Sequence, residues 1–284
     1  MQHQPGRHTL RGMILILAVR VAGGTLPAEQ PVPQTTPLDP VVDRILTRLE
    51  KRHVQDLKAR VKWELTYAIE EDEDSDRKVG TLWYRDAEPV AKFKVHFDRK
   101  LVENTSRELN EQHLFDGCWY TELQAQTKTI TRRQIRRADE PSNPYRLGEG
   151  AFPLPFGQKK ADILAEFDVS RVEPKTGDPP ATDHLRLVPR PNTNTGRTYK
   201  TLDFWVAQEG PNAGLPVKVM AGKKDGTGQV NSYITITFSD IELNTGLSDA
   251  VFKIEQPAGY EVIEEPLEPA GTPGAQAPGD SGPR

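Results

Sequence analysis

Acid–base and nucleophilic chemistry needs a nucleophile held beside a positioned base, and the reactive side chains of this sequence are scattered. Its six histidines occur singly and its one cysteine is Cys118. No Gly-x-Ser-x-Gly elbow, phosphate-binding loop, Gly-x-Gly-x-x-Gly turn or His-Glu-x-x-His pair is present. His96 and His184 fall on strand faces among charged neighbours, the setting of a solvated histidine rather than a metal ligand. Cys118, beside Trp119, reads as a small packed residue. The acidic run Glu71, Asp72, Glu73, Asp74, Asp76 could attract calcium, but it lacks the glycine and the ligand spacing of an EF-hand loop and reads as a solvated hairpin tip. The basic cluster Arg132, Arg133, Arg136, Arg137 either contacts lipid phosphates or an acidic partner, or is a charged strand end. These patterns predict a protein that is not an enzyme and that uses no cofactor and no metal.

What the sequence does concentrate is apolar bulk on alternating positions. From Ala59 to Glu70 one face reads Val61, Trp63, Leu65, Tyr67, Ile69 and the other Arg60, Lys62, Glu64, Thr66, Ala68, Glu70, a half-buried strand. Val79 to Arg85 is the return strand, and Ala91, Phe93, Val95, Phe97 alternate with Lys92, Lys94, His96, Asp98 in a third. Further strands are expected near 111–114, 118–123, 128–134, 167–172, 184–188, 200–207, 217–222 and 232–239. Turn signals such as Asp116-Gly117 and Asp225-Gly226 separate several of them. Helical spacing recurs in two places. Val42, Ile45, Leu46, Leu49 follow a capping Asp39 and Pro40, and Ile163, Leu164, Phe167 group within 158–167. No repeat and no βαβ alternation is present. The pattern predicts a mainly β fold: a curved antiparallel sheet, a half-open β-barrel of about ten or eleven strands, wrapped over two or three short helices.

Composition bounds the rest. A net charge of −4 and a pI near 5.9 leave no global basic field to hold nucleic acid or an anionic membrane surface. One cysteine allows no intrachain disulfide. Arg7, His8 and Arg11 precede a short apolar run from Met13 to Val19, then Ala22, Gly23 and Gly24, the pattern of a secretory signal cleaved after Gly23 or Ala28. The run is far short of the ~20 residues of a membrane span. The expected organisation is a signal peptide over 1–28, a Pro-rich linker over 29–38, one domain over 39–263, and a disordered tail over 264–284, the low-complexity composition beginning near Gly259. The mature chain is expected to be a soluble periplasmic monomer.

In order and spacing these pieces resemble the outer-membrane lipoprotein carrier family (LolA-like, with its LolB-like receptor relatives). The resemblance spans about Asp39 to Ile263. It rests on Val79-Gly80-Thr81-Leu82-Trp83-Tyr84-Arg85 followed by Glu88-Pro89 and Phe93, and on Leu114-Phe115-Asp116-Gly117-Cys118-Trp119-Tyr120. The Pro-rich loop and helix from Phe152 to Val169, the strand end Leu185-Arg186-Leu187-Val188-Pro189, and the closing Val251-Phe252 to Val262-Ile263 complete it. The family's Arg-Pro step is Arg85-Asp86 here, with the proline at Pro89, and the loop from Arg171 to Thr182 is longer than a simple carrier needs.

The resemblance implies a periplasmic carrier that shelters lipoprotein acyl chains, or another lipid, in an apolar groove and passes them between membrane donor and acceptor proteins. The alternative is a sensor or scaffold module of the same fold that binds a protein partner without transport. The groove residues expected on the concave face are Trp63, Leu65, Tyr67, Phe93, Val95 and Trp119, with Trp83 and Trp205. Arg85 matches the family's arginine, which holds a helical lid shut through backbone carbonyls; a surface arginine at a strand end is the plainer reading. The lid would be the Asn143–Phe156 loop and the helix after it, bringing Leu147, Phe152, Leu154 and Phe156 over the groove.

Overall fold

Alternation becomes sheet. The computed structural model describes residues 37–68, 75–87, 90–102, 105–139 and 155–267. Twelve strands form one open sheet: β1 (Asp56–Tyr67), β2 (Asp76–Arg85), β3 (Lys92–Val102), β4 (Thr105–Phe115), β5 (Trp119–Gln124), β6 (Thr129–Gln134), β7 (Phe167–Val172), β8 (Thr182–Pro189), β9 (Tyr199–Ala207), β10 (Pro216–Lys224), β11 (Val230–Leu243) and β12 (Glu261–Glu265). Their spatial order is β12-β6-β5-β4-β3-β2-β1-β11-β10-β9-β8-β7. Every neighbouring pair is antiparallel except β12 with β6, which is parallel. The first strand therefore lies at the centre, joined directly to β11. The expected mainly β, half-open sheet over short helices is the observed architecture.

The helices cover one face. In α1 (Pro40–Lys51) the Asp39 carboxylate accepts from the Val41 N–H at 2.7 Å, and Pro40 occupies the first turn. Its stripe of Val42, Ile45, Leu46 and Leu49 is buried in the same core as Leu57, Ala59, Val61, Leu185, Leu202, Phe204, Val219 and Ile236. Directly paired residues of neighbouring strands share a face, so the pairings assign this helix-bearing, concave face strand by strand. On it lie Leu57, Val61 and Trp63 of β1, Leu82 and Tyr84 of β2, Phe93, Val95 and Phe97 of β3, and His113 and Phe115 of β4. The helix α2 (Lys160–Glu166) contributes Ile163 to the core and is tied to α1, the Lys160 ammonium reaching Asp43 Oδ1 at 2.5 Å.

The opposite face is crossed by residues 244–260, which carry the chain from β11 to β12 at the far edge. Asp56 fastens the start. Its carboxylate accepts from the Thr245 and Gly246 amides at 2.8 Å each and from the Leu247 amide at 3.3 Å. Burial pushes this carboxyl up, and the amides outweigh it, holding it below the ordinary range. Further along, Lys94 Nζ donates to the Lys253 carbonyl at 2.7 Å, and the Glu261 amide donates to the Lys128 carbonyl.

The fold departs from the sequence expectations in four places. The described residues form twelve strands, where about ten or eleven are expected. β4 begins at Thr105, six residues before the expected Glu111, because the β3–β4 hairpin runs past the core as a polar ladder (Val102 opposite Thr105) that leaves no apolar alternation to read. A short helix, α3 (Asn194–Thr198), sits inside the turn-rich stretch after Pro189, its first turn capped by Thr193. β12 (Glu261–Glu265) continues two residues past the expected domain end at Ile263, through low-complexity sequence that begins near Gly259. Its composition is poor in core residues because pairing to β6 and the ion pairs Arg132–Glu264 (2.5 Å) and Arg133–Glu265 (2.6 Å) hold it instead. The expected signal segment and most of the linker lie outside the described residues, as does the chain beyond Leu267.

Candidate functional site

The concave face of β1 shows where helix cover ends. Leu57 is 0 % exposed and Val61 5 %; Trp63 and Leu65 are half-buried, and Tyr67 is 47 % exposed. Ile236 and Ile234 of β11 lie opposite Trp63 and Leu65. An apolar, aromatic surface thus runs out from beneath α1 toward the open end of the sheet. Phe93 and Val95 share the face but are only 3 % and 2 % exposed. Phe93 stacks on Phe115 at 6.3 Å between ring centroids, so both residues belong to the packed floor and not to its exposed part.

Three of the expected groove tryptophans point the other way. Trp83 pairs with Lys58 and Lys94, Trp119 follows the parity of Thr121 and Leu123, and Trp205 pairs with His184 and Lys218. All three lie on the outer face and cannot share a groove with Trp63. A single strand's alternation separates two faces without saying which of them the helices cover, and that ambiguity produced the error.

Arg85 also acts elsewhere than expected. Its guanidinium donates to the Leu247 carbonyl at 3.1 Å, pairs with Asp249, and lies 4.8 Å from the centroid of the Phe252 ring. It clamps the outer-face crossover segment, and the hydrogen bond to a backbone carbonyl is real, but the carbonyl is not on a lid over the concave face. Of the expected lid residues, Leu147, Phe152 and Leu154 lie outside the described residues. Phe156 is buried on the concave side, its ring 5.1 Å from Phe238 and 6.0 Å from Tyr84.

Beside the aromatic strip lies a polar chain that the alternation did not reveal. Lys78, opposite Trp63, places its ammonium 5.1 Å from the centroid of the Trp63 ring and donates to both oxygens of Glu111 at 3.0 and 2.8 Å. Glu111 meets His113 Nε2 at 2.8 Å, and His113 Nδ1 meets the Tyr120 hydroxyl at 2.8 Å. One consistent arrangement has Tyr120 donating to Nδ1 and Nε2–H donating to the carboxylate. Lys100 and Asp76, 2.9 Å apart, complete a charge-balanced set around a depression of about 260 Å³ that Asn110, Gln124 and Gln126 also line. Burial pushes the Glu111 carboxyl up, but the hydrogen bonds from His113 and Lys78 outweigh it and bring it down to about 2. Burial likewise holds the Tyr120 phenol above its usual range. The sequence signal was faint: Glu111 and His113 are two apart and so share a face, but nothing marked that face as the inner one.

The lowered carboxyl carries a pH consequence. A group whose folded pKa is depressed contributes stability above its ordinary value and loses it as pH falls through the folded value. The Glu111 contribution, on the order of 2–3 kcal/mol, is therefore complete above about pH 4.5 and is lost toward pH 2. Urea unfolding measured at several pH values should show a shallower acid limb for Glu111→Gln than for the unaltered chain. Superimposable limbs would mean that the Lys78–Glu111–His113 bonds do not stabilise the fold.

The other expected sites resolve as structure. Arg132 and Arg133 face Glu264 and Glu265, and the buried Arg136 donates to the Gly117 carbonyl at 3.0 Å. His184, expected to be solvated, is 4 % exposed because the loop 173–181 folds over it and sets Asp178 Oδ2 3.8 Å from Nδ1. Cys118 is a half-buried free thiol. Among the described residues no helix is long and apolar enough to cross a membrane.

No family model and no curated protein matches the chain. Among solved structures, it is similar to an uncharacterized conserved protein from Thermus thermophilus, with 12 % identity and a TM-score of 0.43 over 79 % of this chain and 99 % of that one. It is also similar to a DUF1329 family protein from Desulfovibrio piger (13 % identity, TM-score 0.40, 76 % of this chain and 98 % of that one). A LolA superfamily protein from Nitrosomonas europaea is similar too, at 14 % identity and a TM-score of 0.36 over 75 % of this chain and 97 % of that one.

Proposed function

We infer that this protein is an exported binding protein and carrier that shelters an acyl chain on the exposed half of its concave face and catalyses no reaction. The observation that carries the reading is the exposure gradient along β1, from fully covered Leu57 to half-exposed Tyr67, along a strand whose residues on that face stay apolar or aromatic throughout. A tail lying along Trp63, Leu65, Tyr67 and Ile234 gains about 0.8 kcal/mol per buried CH₂. The neighbouring depression lined by Asp76, Lys78, Lys100 and Glu111 would accept its polar end. A periplasmic location, the hand-off to an acceptor and the identity of the donor belong to this same reading.

The test is a pair of measurements on the full chain. Lipid extracted from protein recovered from a bacterial envelope and analysed by mass spectrometry should contain an acyl species in stoichiometric amount. Trp63→Ala combined with Tyr67→Ser should weaken an acyl-chain fluorescent probe about tenfold or more, since burying one large apolar side chain is worth roughly 1.5–3 kcal/mol. Tyr67→Ser alone should leave the melting temperature nearly unchanged, because the ring is already half in water. Recovered protein free of acyl species, or probe affinity unaltered in the double variant, would overturn the carrier reading in favour of a scaffold that binds a protein partner.

A further inference from the structure

The face of α1 turned away from the core has a second pattern. Arg44, Arg48, Lys51 and Arg52 fall at i, i+4, i+7 and i+8, one stripe along the helix. With Asp43, Thr47 and Ala213 they line an open depression of about 420 Å³. The acidic residues of the same helix are engaged by α2: Asp43 by the Lys160 ammonium and Glu50 by the Lys160 backbone N–H. Arg48 is paired with Asp183 at 2.5 Å, and Arg52 donates to the Pro211 carbonyl. Arg44 and Lys51 are exposed and have no ion-pair partner among the described residues. The helix dipole favours cations near the C-terminal end, which accounts for Lys51 and Arg52 and gives no reason for Arg44.

We propose that this stripe is a docking surface for an anionic lipid bilayer. Four cations spread along about 12 Å of helix do not converge, and two of the guanidinium groups are turned aside to Asp183 and Pro211, so a single small anion is not gripped. An array of negative charge fits better. A protein partner needs aromatic or aliphatic anchors seated in pockets, and this depression offers only Ala213 and the Thr47 methyl. Attraction to an anionic membrane surface requires charge alone. The apolar face of α1 is committed to the core, so the helix lies on headgroups and does not insert. The chain as a whole is net negative at −4, so a bilayer of like sign repels most of its surface and selects the orientation that presents α1. This inference does not depend on what the concave face binds.

The experiment is co-sedimentation of the full chain with vesicles of phosphatidylcholine alone, or of phosphatidylcholine with one-quarter phosphatidylglycerol, at low and high salt. Binding is expected only to the anionic vesicles and only at low salt. Each basic residue near such a surface contributes about fivefold, so losing both positive charges in Arg44→Glu with Lys51→Glu should weaken binding at least about 25-fold, and the added carboxylates repel the surface further. The control Lys200→Glu with Lys223→Glu makes the same net-charge change at exposed positions elsewhere and should bind within about threefold of the unaltered chain. Equal losses in both double variants, salt-insensitive binding, binding to neutral vesicles, or capture by soluble polyglutamate without vesicle binding would each overturn the proposal.

Discussion

Gly80→Ala is expected to destabilise the protein by on the order of 4 kcal/mol or more, and in many hosts to abolish soluble accumulation. Gly80 pairs with Val61 on one side and Phe97 on the other, next to the register shift between β2 and β3. A Cβ built there would stand 2.0 Å from the His96 carbonyl oxygen and 2.7 Å from Phe97 Cα. Both obstacles are backbone, so no rotamer change relieves them. Relief requires the two central strands to part, which loosens the Leu82–Val95 and Tyr84–Phe93 pairs that build the core floor. Thr81→Ala, one residue along and on the other face, is the control and should cost about 1 kcal/mol or less. Urea midpoints where the protein folds, and circular dichroism of whatever is recovered where it does not, decide the matter. A G80A variant within about 1 kcal/mol of the unaltered chain would show that the strands part freely there.

That glycine illustrates what the sequence could and could not convey. Val79-Gly80-Thr81-Leu82-Trp83 carried part of the resemblance, and the structure gives Gly80 a purely architectural reason: the partner backbone occupies the space of a side chain. Period-two alternation made β1, β2 and β3 legible because one face of each is buried and the other wet, and the α1 stripe was equally plain. What alternation lacks is a sign. Trp63 and Trp83 looked alike in the sequence, and only the pairing of Trp63 with Lys78, and of Trp83 with Lys58, puts them on opposite faces. The same blindness hid the Lys78–Glu111–His113–Tyr120 chain, since polar and charged residues are normally assigned to the outer face and these four sit on the inner one. The role of Arg85 is hidden for a different reason. Its partners come from 247–252, more than 160 residues away, in a segment whose route across the outer face no local pattern announces.

Asp203→Ala should cost about 3 kcal/mol or somewhat more, the second largest effect expected from a single substitution, while leaving ligand binding on the concave face unchanged. Asp203 is 0 % exposed on the outer face of β9. Its Oδ1 accepts from His184 Nε2 at 2.8 Å and from Arg186 Nε at 2.9 Å. His184 in turn stacks on Trp205, 4.2 Å between centroids and 24° between planes, and Lys218 Nζ lies 4.3 Å from the Trp205 centroid. The carboxylate is thus the group that pairs with both basic partners beneath the 173–181 loop, through His184 Nε2 and Arg186 Nε. Removing one member of a buried pair costs about 3–5 kcal/mol, because the remaining polar group stays desolvated without compensation. Arg186 is 40 % exposed and can turn to water, so the loss falls mainly on the 4 % exposed His184, toward the low end of that range. Asp203→Asn keeps an acceptor oxygen and should cost less than the alanine variant. Replacing both buried members by apolar residues, His184→Phe with Asp203→Leu, should recover most of the loss, since well-packed hydrophobic pairs equal or exceed buried polar ones. If instead the double replacement is worse than Asp203→Ala alone, the cluster's value lies in its own hydrogen bonds holding the 173–181 loop, and not in keeping the buried His184 Nε2 partnered.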